Sequence, residues 1–140
     1  MHKTAVSWAK SYEKELSKRQ SRRFNTACVA YDKKNDRYFY GRNGGIEKSN
    51  SEKNAILFGT EEKKGLLPEE SATAYPVHNC AEIDAVNNAL NAGAKIGDLA
   101  LITIHTRIDK HGELKEACIN CTRTLKGKIN INYSGWYKGE

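Results

Sequence analysis

The sequence predicts an α/β fold, a three-layer α/β/α sandwich built on a mixed sheet. Two observations carry that expectation. The β-prone segments 25–32 and 37–45 flank the turn signal "KKND" and read as an antiparallel hairpin. Downstream, a helical pattern over 81–91 precedes a strand over 98–107, and a short helix over 118–125 precedes a strand over 128–132. Two strands that each sit beside a helix suggest right-handed crossovers within one sheet. The sheet is therefore expected to hold the hairpin plus two or more strands joined by crossover helices.

Each element has its own signal. Residues 3–22 read as one helix, with Ala5, Trp8, Ala9, Tyr12 and Leu16 on a single stripe. The second hairpin strand stops at the glycines of "GRNGG". Residues 46–77 are irregular, with a short helix possible over "SEKNAILF" and breakers at Gly65, Pro68 and Pro76. A long excursion of this kind suits a rim or lid over a site, or a plain surface loop. In the helix over 81–91, Ile83, Val86, Ala89 and Leu90 recur at helical spacing and Gly93 fits the C-terminal end. "DKHGELKEA" reads as a polar connector, and "YSGWYKGE" as a tail.

The 140 residues fit one domain, 1–140, large enough to bury a core without disulfide staples. No apolar run approaches the roughly 18 residues of a membrane helix. The N-terminal segment carries charge but no apolar stretch of the signal-peptide kind, as expected also of a domain from the end of a longer exported protein. The formal net charge is +6. Lys3, Lys10, Lys14, Lys18, Arg19, Arg22 and Arg23 crowd the start, and Arg123, Lys126, Lys128 and Lys138 recur near the end. This excess suits a polyanionic substrate or an acidic protein partner, and equally a solvated helix face.

The chemistry lies in the cysteines. Cys28 sits between Ala27 and Val29 in a strand, where a thiol behaves as a small hydrophobe. Cys80, Cys118 and Cys121 are different: one precedes a helix, and two stand at C-x-x-C spacing at the start of another. In a chain without a secretion signal, that spacing reads as metal or redox. Three thiolates make a catalytic type of zinc site, whereas a fourth ligand would close it. Cys28 and His78 are the closing candidates, Cys28 reading rather as part of the core, and His78 could also orient the pocket, touch substrate or cap the helix. Glu82 follows Cys80 by two residues. A carboxylate there can face a metal-bound water without binding the metal and shuttle its proton; the plainer role is to complement the helix dipole. Two helix N-termini, and Arg123 nearby in sequence, would offset the negative charge of three thiolates.

"NCAEIDAVNNALNAGA", a strand ending "IHTR", and "ACINCT" together resemble the cytidine deaminase superfamily, and within it the YwqJ-like deaminase domains found as C-terminal warheads of bacterial polymorphic toxins. The resemblance covers the chain from the hairpin onward. It implies a cytidine deaminase-like fold, zinc held by Cys80, Cys118 and Cys121, and Glu82 as the proton shuttle. It places Asn43 where the superfamily holds the nucleoside sugar, with Ala81 and His78 on the substrate side. Asn43 also suits a left-handed Asn-Gly turn. Two departures stand out. Ala117 replaces the usual proline before the C-x-x-C pair, which should loosen the helix start. The chain ends soon after its last strand, which favours an open groove over a small enclosed pocket.

The expected function is a zinc-dependent hydrolase that removes the exocyclic amine of a nucleobase, cytosine in DNA or RNA first. The resemblance adds a delivered toxin acting in the target-cell cytoplasm and a cognate immunity protein that blocks the site. The alternatives are a non-catalytic zinc module that binds nucleic acid and an enzyme acting on free cytidine or nucleotide. A redox C-x-x-C would leave Cys80-Ala81-Glu82 unexplained.

Overall fold

The computed structural model describes residues 1–139. Its sheet has four strands, β1 (Thr26–Asp32), β2 (Arg37–Arg42), β3 (Leu99–His105) and β4 (Ile131–Asn132), in the order β2-β1-β3-β4. β1 pairs antiparallel with both β2 and β3, and β3 pairs parallel with β4. The sheet is therefore mixed, as expected. The helix after β2 crosses β1 to reach β3, and the helix after β3 leads to its neighbour β4.

Strand alternation sorts the core into two layers. Ala27, Val29, Ile102 and Ile104 pack with Ala5, Ala9 and Phe24 on one face, under α1 (His2–Lys14). Cys28, Ala30, Leu99 and Leu101 pack on the other, against α5 (Ala81–Asn91) and α6 (Ile119–Leu125). That is the three-layer α/β/α arrangement. Cys28 is fully buried within the second layer, as a strand thiol between Ala27 and Val29 should be.

The expected single helix over 3–22 is two. α1 ends at Lys14, and α2 (Lys18–Arg23) begins after Ser17. Ser17 and Gln20 form a reciprocal capping box, so a new helix start outcompetes continuation of the old stripe. The second hairpin strand stops at Arg42 and not at Gly45, because Gly44 turns the chain with a φ of 68°. The last strand shrinks to two residues. Gly127, at φ 87°, and the bonds from Lys128 and Ile129 to the Leu125 carbonyl hold the preceding stretch in a turn.

The irregular excursion contains α3 (Gly45–Lys48) and α4 (Ala55–Phe58), the latter capped by Asn54. It is fastened to α5 by that helix's asparagines. Asn87 accepts the Asn54 amide at 2.8 Å and donates to the Glu52 carbonyl at 2.8 Å; Asn91 donates to the same carbonyl at 2.7 Å. Leu57 plugs the excursion into the core. α5 itself lies tight against β2: a Cβ at Gly41 would overlap the Ala81 carbonyl and the Ala85 amide. Among the described residues, no helix is long and apolar enough to cross a membrane.

Candidate functional site

Cys80 is the N-cap of α5 and Cys118 the N-cap of α6, both with extended backbone. Cys121 lies one turn into α6 and is fully buried. The three sulfurs fall within 4.8 Å of one another, and the Cys80 and Cys118 Sγ atoms are 2.8 Å apart. Hydrogen bonds from Cys121 and then Cys80 hold the Cys118 thiol well below its ordinary range. Cys80 is pushed up, chiefly by its bond to Cys118, and Cys121 by burial. The three sulfurs are a set of soft donors already gathered. These residues fit a divalent ion of the zinc type, and they number three.

Glu82 lies in the first turn of α5 and is 2% exposed. Its Oε2 has no hydrogen-bond partner. Burial pushes its carboxyl up to about 7, against the pull of the Lys115 ammonium. A carboxylate that only complemented a helix dipole would sit in solvent. This one is buried beside the thiols, where it can exchange a proton.

Above them lies a cavity of about 890 Å³, with Cys80, Ala81, Glu82 and Cys118 in its wall. Arg23, Arg42, Lys48, Arg107, Lys110 and Lys115 line it, against the acidic Glu47, Glu82 and Asp109. The cavity walls are therefore cationic. A second cavity of about 770 Å³ shares Thr73, His105, Lys115 and Cys118 with the first.

The residues expected from sequence fall into place unevenly. Ala81 is in the wall, fully buried. Asn43 is in the wall too, but its side chain clasps backbone: Oδ1 accepts the Asn25 and Thr26 amides at 3.1 and 3.2 Å, and Nδ2 donates to the Arg23 carbonyl at 2.7 Å. One amide hydrogen remains for a ligand. The left-handed residue of that turn is Gly44, not Asn43. His78 is absent from the wall and from the thiol cluster; its Nε2 meets Glu47 Oε1 at 2.7 Å and so orients an acidic wall residue. Of the N-terminal cations only Arg23 reaches the cavity, and Arg123 is exposed outside its wall.

The cation that bears on Glu82 is Lys115, which sequence reasoning leaves in a polar connector. The connector folds back along β3: Gly112 donates to the His105 carbonyl at 2.9 Å, Glu113 accepts the His105 amide at 2.8 Å, and Lys115 donates to the Thr103 carbonyl at 2.9 Å. Leu114 forms a bridge to Ile104. The apolar Leu114 amid charges in "GELKEA" is the one sequence signal of that pairing. His105 also joins the wall, its ring held below its ordinary range by burial and then by Lys115.

The start of α6 is anchored, contrary to the loosening expected from the missing proline. Ala117 is fully buried and its amide donates to the Gly135 carbonyl at 2.9 Å, a bond that proline could not make. Comparison with family models, curated proteins and solved structures returns no significant match.

Proposed function

We propose that this chain is a zinc-dependent deaminase that hydrolyses the exocyclic amine of a nucleobase, cytosine in a nucleic acid first. One observation carries the proposal: three convergent thiols stand beside a buried carboxylate with a free oxygen, in the wall of a cationic cavity. Cys80, Cys118 and Cys121 would hold the metal, which supplies Lewis-acid activation of water at neutral pH. Glu82 would take a proton from the attacking water and give it to the ring nitrogen; it would then take the second proton from the hydroxyl added to the ring carbon and give it to the amine, which leaves as ammonia as the carbonyl forms. Lys115 keeps the carboxylate ionisable in its buried place. The cationic wall receives phosphate, and one N–H of Asn43 is left to hold the sugar.

The cationic wall favours a polymer over a free nucleoside, because several phosphates can be met at once. It also suits a toxin domain delivered to the cytoplasm of a target cell, whose immunity protein would set acidic side chains against these cations. A non-catalytic zinc module would have no use for a buried, unpaired Glu82 between its ligands and a cavity.

The test is sequencing of DNA and RNA from cells that express the chain. C-to-T changes in DNA or C-to-U changes in RNA are the expected result, and A-to-G changes would move the substrate to adenine. Folded, zinc-loaded protein that leaves every base unchanged would overturn the proposal.

A further inference from the structure

Between the two thiols of Cys118-Ile119-Asn120-Cys121 stands an asparagine that the chemistry above does not use. Asn120 is 1% exposed, and its whole amide faces the segment 71–73. Oδ1 accepts the Ala72 amide at 2.9 Å; Nδ2 donates to Ser71 Oγ at 2.9 Å and to Thr73 Oγ1 at 3.2 Å. Ser71 and Thr73 carry the tie further along the chain. The Ser71 hydroxyl donates to the Tyr75 carbonyl, and Thr73 Oγ1 accepts the Tyr75 amide at 3.1 Å.

Residues 71–76 form an exposed strap with no buried side chain of its own. A segment without apolar anchorage is placed by its hydrogen bonds. Yet Thr73, Tyr75 and Pro76 line the thiol-bearing cavity, and Tyr75 is 66% exposed there. This part of the cavity wall thus hangs from a side chain set between two of those cysteines in sequence.

We propose that Asn120 is a positioning residue. It ties the strap 71–76 to the thiolate loop and so holds Tyr75 and Thr73 as the substrate-facing wall. Any ordering of the Cys118–Cys121 turn by a bound metal is passed to the strap through these three bonds. The clamp is a property of the fold; its effect on substrate rests on the deaminase proposal.

Hydrogen exchange on the zinc-loaded chain tests the clamp, comparing the parent with Asn120→Ala and with the double variant Ser71→Ala, Thr73→Val. The double variant removes the acceptors from the exposed strap and leaves α6 intact, so it reports even where Asn120→Ala folds poorly. The Ala72 amide, whose acceptor Asn120 Oδ1 is still present in the double variant, should exchange about tenfold faster in both, as expected for loosening of the bonds to a buried amide, with α5 amides and zinc content unchanged. On an oligonucleotide, KM should rise about tenfold and kcat should hold within about twofold. Strap exchange equal to the parent's overturns the proposal. So does loss of zinc with faster exchange throughout α5 in both variants, which would make Asn120 a general part of the fold. A loosened strap with KM unmoved overturns its role toward substrate. A loosened strap in proteins that convert no base keeps the clamp and removes the deaminase proposal alone.

Discussion

Cys80 and Cys118 cap different helices 38 residues apart, and their sulfur atoms lie 2.8 Å from each other. Such an approach crowds three thiols at one point. A divalent ion would relieve that crowding and deprotonate them. One zinc per chain is therefore expected on metal analysis, and Cys118→Ser should lose it. Metal that binds the folded chain alone adds about 2.7 kcal/mol at a free concentration one hundred times its Kd, roughly 8 °C in melting temperature. Chelation should lower the melting temperature of the parent by that order and leave Cys118→Ser unmoved. Equal melting of loaded and chelated parent would show that the thiols hold no ion.

Glu82 separates catalysis from architecture. Glu82→Gln keeps the shape of the side chain and removes its proton chemistry. Zinc content should stay at the parent value and base conversion should fall by about 10²- to 10⁴-fold. Stability should hold or rise, since the carboxylate is buried with an oxygen that nothing satisfies. Conversion at the parent rate would remove Glu82 from the chemistry.

These two residues are legible in sequence because their spacing is local. A thiol and a carboxylate two apart at a helix start, and a C-x-x-C at another, report their geometry directly, and α5 shows its 3.6-residue period without interruption. The three-layer arrangement follows from the same patterns. The N-terminal break is visible in "SKRQ" as a capping box, but the apolar stripe continuing to Leu16 masks it. Lys115 is barely legible, because backbone hydrogen bonds to β3 place it and the lone apolar Leu114 beside it is their one trace in the side-chain pattern. The roles of Asn120 and of the Asn43 side chain are not legible either, because their partners, a backbone amide and two hydroxyls for Asn120 and backbone groups for Asn43, are distant in sequence.

The cations of the cavity wall differ from those that crowd the N-terminus. Lys48, Arg107 and Lys110 line the cavity; Arg19 and Arg22 do not. Neutralising the first three should weaken binding of a single-stranded oligonucleotide and flatten its salt dependence, by roughly 0.7 in log–log slope for each phosphate deprived of its cation. Neutralising Arg19 and Arg22 should change the slope little. Fluorescence anisotropy from low to physiological salt reads both. A slope that falls with Arg19 and Arg22 alone would put the polymer on the N-terminal helices.

Asp84 makes stability depend on pH. Its Oδ2 accepts the Arg42 amide at 2.9 Å, its Oδ1 has no partner, and the residue is 4% exposed. Burial pushes its carboxyl up to about 6 from an ordinary 3.8, although the Arg42 amide and guanidinium pull the other way. The folded chain thus holds this proton more tightly than the unfolded chain. Between pH 4 and 6 the folded state binds the more protons, so stability falls as pH rises through that window and stays lower above it. Two such pH units correspond to about 3 kcal/mol as an upper bound. Asp84→Asn keeps an acceptor for the Arg42 amide and abolishes the titration. Urea unfolding of the zinc-loaded parent and variant across pH 4 to 8 should show the variant gaining on the parent between pH 4 and 6, and remaining the more stable at pH 7. A stability difference that does not change with pH would mean that Asp84 titrates alike in the folded and the unfolded chain.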